Sequence, residues 1–333
     1  MNRFKNILCI IEPDDTFRPA LERAITLAEN NQAALTVIDV VEHIPPAASA
    51  SYGGLSPDIL YEELIPATLQ AEITNARTRR LEELLVPYRE RIDVELKVLK
   101  GIPFLEIIRE VLRCDYDLLI KVAESQNWLA RMLGSDDMHL LRKCPCPVWL
   151  IKPNSPQTHQ RILAAIDTDD ADSGADIKQQ NNLSCEVLKI ASSLAVANFA
   201  ELHIVHAWEA PGESTMRGVF MDTPDDQVNA YVEQVYQQHK VSLDNLMEVM
   251  ANTEEEDAMS YLKPKVHIVK GWARKEIPLL TKQLNVDLLV MGTVARTGIP
   301  GYFIGNTAES ILNQIDCSVM AIKPSGFVTP VSL

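Results

Sequence analysis

Apolar residues along this chain fall into short continuous runs, separated by longer stretches with helical spacing. Ile7-Leu8-Cys9-Ile10-Ile11 is apolar throughout and stops at Glu12-Pro13. A run of that kind predicts a strand buried on both faces of a parallel sheet. Residues 18–30 follow at helical spacing, with Leu21, Ile25 and Ala28 on one side. The same reading predicts strands at 35–41, 94–99, 118–122 and 148–151, and helices at 58–86, 104–112 and 138–142. Beyond residue 160 the order repeats. Strands are expected at 162–166, 202–207, 266–269, 288–291 and 319–322, and helices near 184–197, 226–250, 273–284 and 307–315. Alternating strands and helices indicate parallel α/β sheets with right-handed crossovers.

The repetition extends to individual residues. Val98-Leu99-Lys100-Gly101 returns as Ile268-Val269-Lys270-Gly271, and Asp117-Leu118-Leu119-Ile120 as Asp287-Leu288-Leu289-Val290. Cys146-Pro147-Val148-Trp149-Leu150-Ile151-Lys152-Pro153 returns as Cys317-Ser318-Val319-Met320-Ala321-Ile322-Lys323-Pro324. The offset is 170 residues (271 − 101 and 287 − 117) or 171 (323 − 152). Three separate motifs holding one spacing signify duplication of a whole domain, since solenoid periods run only to roughly 50 residues. The expected division is a first domain at 1–153, a linker at 154–160 and a second domain at 161–325. The fold class expected is two tandem doubly wound five-stranded parallel-sheet domains packed as a pseudo-dimer. The strands Val148–Ile151 and Val319–Ile322 are the candidate contact edges. A polar insertion at 169–183 reads as an exposed loop, and the tail from Pro324 to Leu333 reads as loosely held.

Length and charge narrow the class. At 333 residues, a prior of roughly 100–200 residues per domain gives about two domains. The net charge is −15, a field that repels nucleic-acid backbones, so nucleic acid is not an expected partner. Arg77, Arg79 and Arg80 sit among Glu82 and Glu83 and read as a solvated helix face. No apolar stretch near the N-terminus matches a secretory h-region or a membrane span. The six cysteines show no disulfide spacing. A cytoplasmic protein is the expectation.

Ligands of open parallel sheets bind outside the carboxyl ends of the strands, where the strand order reverses. In the second repeat the strand ending at Met291 runs into Gly292-Thr293-Val294-Ala295-Arg296-Thr297-Gly298, and Gly305-Asn306-Thr307-Ala308-Glu309 then opens a helix. Asn306 or Thr307 is the expected cap, with Glu309 closing a capping box. Glycines before a helix N-terminus let backbone amides approach an anion, and Arg296 adds a full positive charge. This combination suits phosphate. The competing reading is a turn that needs glycine for backbone reasons alone.

Met291-Gly292-Thr293, Arg296-Thr297-Gly298 and Gly305-Asn306-Thr307-Ala308-Glu309 together resemble the universal stress protein signature, Gly-x2-Gly-x9-Gly-(Ser/Thr). The resemblance covers both halves and is of the tandem E type. It implies ATP, alone or with Mg, at the strand ends of the second repeat. On the resemblance, Asp167 lies near adenine or ribose and the backbone of Ala207 faces adenine. Met291, Gly292, Gly305, Asn306 and Thr307 form the phosphate loop, which holds Arg296. The signature's second glycine is Ala295 here, and its Ser/Thr is Asn306. Adenine nucleotide, protein partners and a further homodimer are the implied partners. No general base is placed by the motif, so at most a slow ATPase is expected, with no catalytic or metal-ligating residue named. The alternative is a scaffold or a carrier of a hydrophobic ligand with a vestigial ATP site, the apolar loop at 44–60 forming the pocket wall.

The first repeat departs from the signature. Its loop reads Lys121-Val122-Ala123-Glu124-Ser125-Gln126-Asn127, without glycine before Gly134, and Asp136-Asp137 stand at the helix start. Two carboxylates there repel phosphate, so no nucleotide is expected at the equivalent place. Glu12 stands where Asp167 stands in the second repeat. His203 and His206 are three apart on a strand, which puts them on opposite faces and argues packing over metal ligation. Cys144-Pro145-Cys146 offers two thiols for a soft metal but lacks a second ligand pair, and a proline-rich strand entry is the competing reading.

Overall fold

The computed structural model describes residues 3–12, 17–43, 59–123, 135–153, 155–168, 174–218, 221, 223–251, 256–293 and 304–333, excepting the side chains of 59–67, 174–181 and 256–257. The loop at 44–58 lies outside them. Ten strands form one sheet: β1 (Asn6–Ile10), β2 (Ala34–Val41), β3 (Val94–Lys100), β4 (Leu118–Val122), β5 (Val148–Ile151), β6 (Arg161–Ile166), β7 (Glu201–Trp208), β8 (Lys265–Lys270), β9 (Leu288–Gly292) and β10 (Ser318–Ile322). Their order is β3-β2-β1-β4-β5-β10-β9-β6-β7-β8. Every pairing is parallel except β5 with β10, where Leu150 faces Val319 and Trp149 faces Met320. Two doubly wound five-stranded sheets are thus joined edge to edge, and the expected edges are the ones that meet.

The helices are α1 (Arg18–Asn31), α2 (Ile59–Leu85), α3 (Pro103–Cys114), α4 (Asp136–Lys143), α5 (Gly174–Asn198), α6 (Glu213–Met216), α7 (Asp225–Ala251), α8 (Glu256–Leu262), α9 (Ala273–Gln283) and α10 (Asn306–Leu312). Strand residues alternate between two cores. Ile7, Cys9, Trp149 and Met320 face a core with residues of α1, α5 and α7, whereas Leu8, Ile10, Leu150 and Val319 face one with α3, α4, α9 and α10. Both cores draw on both repeats, so each face of the sheet carries a single apolar layer across the seam. Val148, Trp149, Leu150, Val319 and Met320 are each no more than 2% exposed. At about 2 kcal/mol per buried side chain, the seam strands account for burial on the order of 10 kcal/mol, an upper bound.

The repeated motifs hold structural posts. Asp117 Oδ2 and Oδ1 accept from the amides of Lys5 and Asn6 (2.7 and 3.1 Å) where β1 begins. Asp287 Oδ2 accepts from the amides of Gln160 and Arg161 (2.7 and 2.9 Å) where β6 begins. Gly101 and Gly271 have φ of +143° and +135°, and a Cβ on either would sit 2.8 Å from the side chain of Glu106 or Glu276. The duplicated Lys-Gly is therefore a backbone requirement at the turn into α3 and α9.

Three expectations are corrected. Residues 174–183 are not a loop: α5 begins at Gly174 and carries the polar stretch as its first turns. The tail is docked, with Arg109 Nε donating to the carbonyl of Ser332 (3.1 Å) and Val331 packed on one core. Arg77 is not simply solvated, since Nη1 lies 3.4 Å from the buried Asp39 carboxylate.

Between the repeats, Arg23 of α1 grips the connecting segment. Its Nη1 lies 2.8 Å from the His159 ring nitrogens, its Nη2 donates to the Pro156 carbonyl, and its guanidinium lies 5.5 Å from the centre of the Trp149 ring. His159 is 1% exposed. Burial first, and then the Arg23 cation, push its imidazole down from 6.5 to about 2. The folded chain therefore refuses a proton that the unfolded chain accepts below pH 6.5. Stability is unaffected above that pH and falls by about 1.4 kcal/mol per unit beneath it. Urea denaturation at pH 7, 6 and 5 is expected to show a smaller loss for His159→Gln than for wild type. Parallel curves for the two proteins would contradict the assignment.

Candidate functional site

At the centre of the second repeat, β6 and β9 lie side by side, with Ala165 opposite Met291, and the chain leaves their carboxyl ends toward opposite faces. Asp167 follows β6 directly. Its amide donates to Ser184 Oγ (3.3 Å) and its carbonyl accepts from the same hydroxyl (2.8 Å), which fixes the backbone at the strand end. Thr168 is buried with Oγ1 3.4 Å from His206 Nε2, and His206 Nε2 lies 2.9 Å from His239 Nδ1 on α7. His203 pairs instead with His267 on β8 (3.0 Å). The two histidines of β7 thus serve different partners, as a strand's alternation requires. Ala207 lies one strand further out, paired with Val269.

Met291 is 4% exposed on β9, and Gly292 ends that strand. A Cβ on Gly292 would stand 2.7 Å from Leu183 Cδ2 of α5, so this glycine admits a packed leucine over the strand end. The Gly305 amide donates to the carbonyl of Thr293 (3.0 Å), tying the start of α10 to the end of β9. Asn306 and Thr307 are exposed in the first turn of α10. The structure therefore brings Asp167, Met291, Gly292, Gly305, Asn306 and Thr307 to the carboxyl end of the β6–β9 pair. Arg296, Ala295 and Gly298 lie outside the described residues. The expected capping box is not formed. Gly305 is the N-cap without a side-chain cap, Asn306 is already helical, and Glu309 Oε1 instead accepts from Arg142 Nη2 of the first repeat (2.9 Å). The seam salt bridge wins over the local cap.

The equivalent crevice between β1 and β4 is built differently. Strand register puts Lys121 at the place of Met291 and Glu12 at that of Asp167, and the 171 offset (308 − 137) puts Asp137 at that of Ala308. Lys121 is 2% exposed, with Nζ 2.5 Å from Glu12 Oε1 and 2.8 Å from Asp137 Oδ1. Ser135 caps α4, its Oγ accepting from the Met138 amide (3.3 Å). The first repeat thus fills its own switch point with an ammonium between two carboxylates and covers its helix end with a hydroxyl. The second has the Asp167 carboxylate and the buried Met291 and Ala308 at those places, and a helix start without a side-chain cap.

Matches to known proteins follow the same outline. The chain is a tandem, doubly wound α/β protein with one crevice per repeat, one of them internally filled. The pattern of the universal stress protein family matches residues 3–152 and again 159–323. The chain belongs to the universal stress protein family and carries two of its domains, which supports a role in stress response. It is 28% identical over 340 residues to Universal stress protein E of Escherichia coli K12, covering 100% of this chain and 98% of that one. It is likewise 28% identical over 341 residues to Universal stress protein E of Photorhabdus laumondii, covering 99% and 98%. Among solved structures, a functionally unknown protein of Pseudomonas aeruginosa PAO1 aligns with a TM-score of 0.66 at 25% identity, covering 98% of this chain and 95% of that chain. A universal stress protein of Archaeoglobus fulgidus shares the fold, with a TM-score of 0.56 at 18% identity over 96% and 99%.

Sequence reasoning missed Lys121 as the partner of Glu12 and Asp137, although a lysine inside an otherwise apolar strand is a signal that a counter-ion is near. It also missed Leu183, which the reading put in a loop at 169–183, and Ser184, which it put at the start of a helix without a contact to the strand end.

Lys121→Met leaves Asp137 buried without its cation and is expected to cost about 3–5 kcal/mol in urea denaturation. Adding Asp137→Ala is expected to recover much of that loss, and additive losses would contradict the pairing. Gly292→Ala forces its methyl against Leu183 and is expected to cost about 1–3 kcal/mol. In Leu183→Ala that penalty is expected to vanish, whereas a persistent penalty would locate the constraint elsewhere.

Proposed function

We propose that the second repeat binds an adenine nucleotide, ATP in the first instance, in the crevice between β6 and β9. Binding there would change the surface offered to protein partners in a stress response. The observation that carries this reading is the difference between the two crevices. Lys121, Glu12 and Asp137 satisfy the first internally, whereas Met291, Asp167 and Ala308 stand at those places in the second. An acid-free phosphate loop at residues 292–305 points the same way. In this reading Asp167 faces adenine or ribose and the Ala207 backbone faces adenine. Met291, Gly292, Arg296, Gly305, Asn306 and Thr307 surround the phosphates, and Mg, when present, neutralises phosphate charge. The working division is 1–153, 154–160 and 161–325, and the setting is cytoplasmic. No helix among the described residues is long and apolar enough to cross a membrane. Regulation of partners requires ATP to favour one conformation through differential affinity. Hydrolysis, if it occurs, is slow, since the motif supplies no general base.

One contact favours a second reading. Leu183 against Gly292 gives that glycine a packing reason that needs no ligand, which suits a scaffold or hydrophobic-ligand carrier with a vestigial site.

Calorimetric titration with ATP separates the two. Wild type is expected to bind one ATP per chain, and Gly305→Asp, which puts a carboxylate beside the phosphates, to weaken binding at least ten-fold. Absence of heat at millimolar ATP would remove the nucleotide reading, and equal binding by the variant would move the phosphates away from Gly305.

A further inference from the structure

Cys144 and Cys146 flank Pro145 where α4 gives way to β5. Their sulfurs are 3.5 Å apart, both side chains are buried, and both are free thiols. A disulfide is about 2.05 Å long, so the sulfurs would have to approach by about 1.5 Å. The soft-metal reading lacks ligands: among the described residues, no group of three or more His, Cys, Asp or Glu could hold a metal ion. Thiol redox chemistry is the reactivity still open to a sulfur pair in contact, with inert packing at the strand entry as its alternative.

A buried lysine reaches the last turn of α4, just before the pair. Lys323, directly after β10, is 7% exposed. Its Nζ donates to the Leu141 carbonyl of α4 (2.5 Å) and to Thr293 Oγ1 (2.8 Å), and lies 5.1 Å from the centre of the Phe327 ring. All three partners are neutral. Burial pulls the Lys323 ammonium down to about 8, partly offset by its electrostatic interaction with the Cys144 sulfur. A cation there favours negative charge on the resolving sulfur, which must attack to close a bridge. The Lys323 ammonium also bridges the α4 end of the first repeat to Thr293 at the crevice of the second.

We propose that Cys144 and Cys146 are a reversible disulfide site on the seam between the repeats, closed by a peroxide and reopened by a thiol reductant. Cys146, 7% exposed, is the sulfur that peroxide meets first, and Cys144, fully buried, resolves it. Attack on the peroxide forms a sulfenic acid and releases one water, and the second sulfur displaces the other oxygen as water. Two S–H bonds and one O–O bond break, one S–S bond and two O–H bonds form, and two electrons pass from sulfur to peroxide. The hydrogen bond to Cys144, then burial, and more weakly the Asp117 carboxylate hold the Cys146 thiol well above its usual range. Closure is therefore slow at neutral pH and faster in alkali. A bridge between residues i and i+2 closes a small strained ring, and strained disulfides are readily reduced.

The test uses the full chain, reduced and then exposed to hydrogen peroxide, with alkylation in denaturant and mass spectrometry. In wild type, two of the six thiols are expected to become unavailable. The unalkylated chain is expected to lose the mass of two hydrogens, the bridge to map to residues 144–146, and dithiothreitol to reverse it. Cys144→Ser and Cys146→Ser are each expected to form no bridge, and Lys323→Met to close several-fold more slowly. Six alkylatable thiols after treatment, a bridge elsewhere, or passage of Cys146 to sulfinic acid without bridging would overturn the site. An unchanged rate in Lys323→Met would overturn the part assigned to the cation.

Discussion

Main-chain pairing of Val148–Leu150 with Val319–Ala321 is the contact on which the remaining architecture depends. Each repeat ends its own sheet on the strand that would otherwise be an exposed edge, and an unpaired edge is an invitation to promiscuous pairing. Joining the two edges removes both liabilities and sets the repeats about a local two-fold relation. Both apolar layers then run unbroken across the seam. Separating the repeats would expose the apolar faces that meet across the seam, Trp149 and Met320 among them. The seam is also where the repeats exchange polar contacts: Arg142 with Glu309, Lys323 with Leu141, and Lys152 with Asp316.

On that shared frame, the same topological position is satisfied in two ways. Doubly wound sheets open a crevice wherever neighbouring strands send their chains to opposite faces. The first repeat closes this gap with charges from its own side chains. A buried ammonium with two carboxylates is a poor source of stability compared with apolar packing, but it gives the buried cation a partner on each side. The second repeat lacks that set and fixes its strand end with Ser184 on the Asp167 backbone and Lys323 on Thr293. Gly292 and Gly305 border this position in the second repeat, where the first has Val122 and Gly134.

Much of this was legible in the chain. Strands buried on both faces are written as unbroken apolar runs, and the repeated Asp, Lys-Gly and Lys-Pro motifs exposed the duplication. The structure adds what those motifs do, such as Asp117 and Asp287 each pinning the start of a neighbouring strand. The first turns of α5 were illegible because polarity alone does not distinguish a solvated helix from a loop. The capping box failed because Glu309 has a partner 167 residues away in sequence, which no local pattern records. Tertiary ion pairs such as Lys121 with Asp137 leave only half a trace, a charge where none belongs. His159 left none, since its burial arises only when α1 and the connecting segment meet.

The central claim is that the first crevice is filled by the protein itself and the second is left for a ligand. Crystals soaked with 8-bromoadenosine triphosphate test it by locating the bromine in an anomalous difference map. The account predicts one peak per chain, beside Asp167 and Ala207 at the carboxyl ends of β6 and β7. A peak beside Glu12 at the ends of β1 and β2, with nothing in the second repeat, would contradict it.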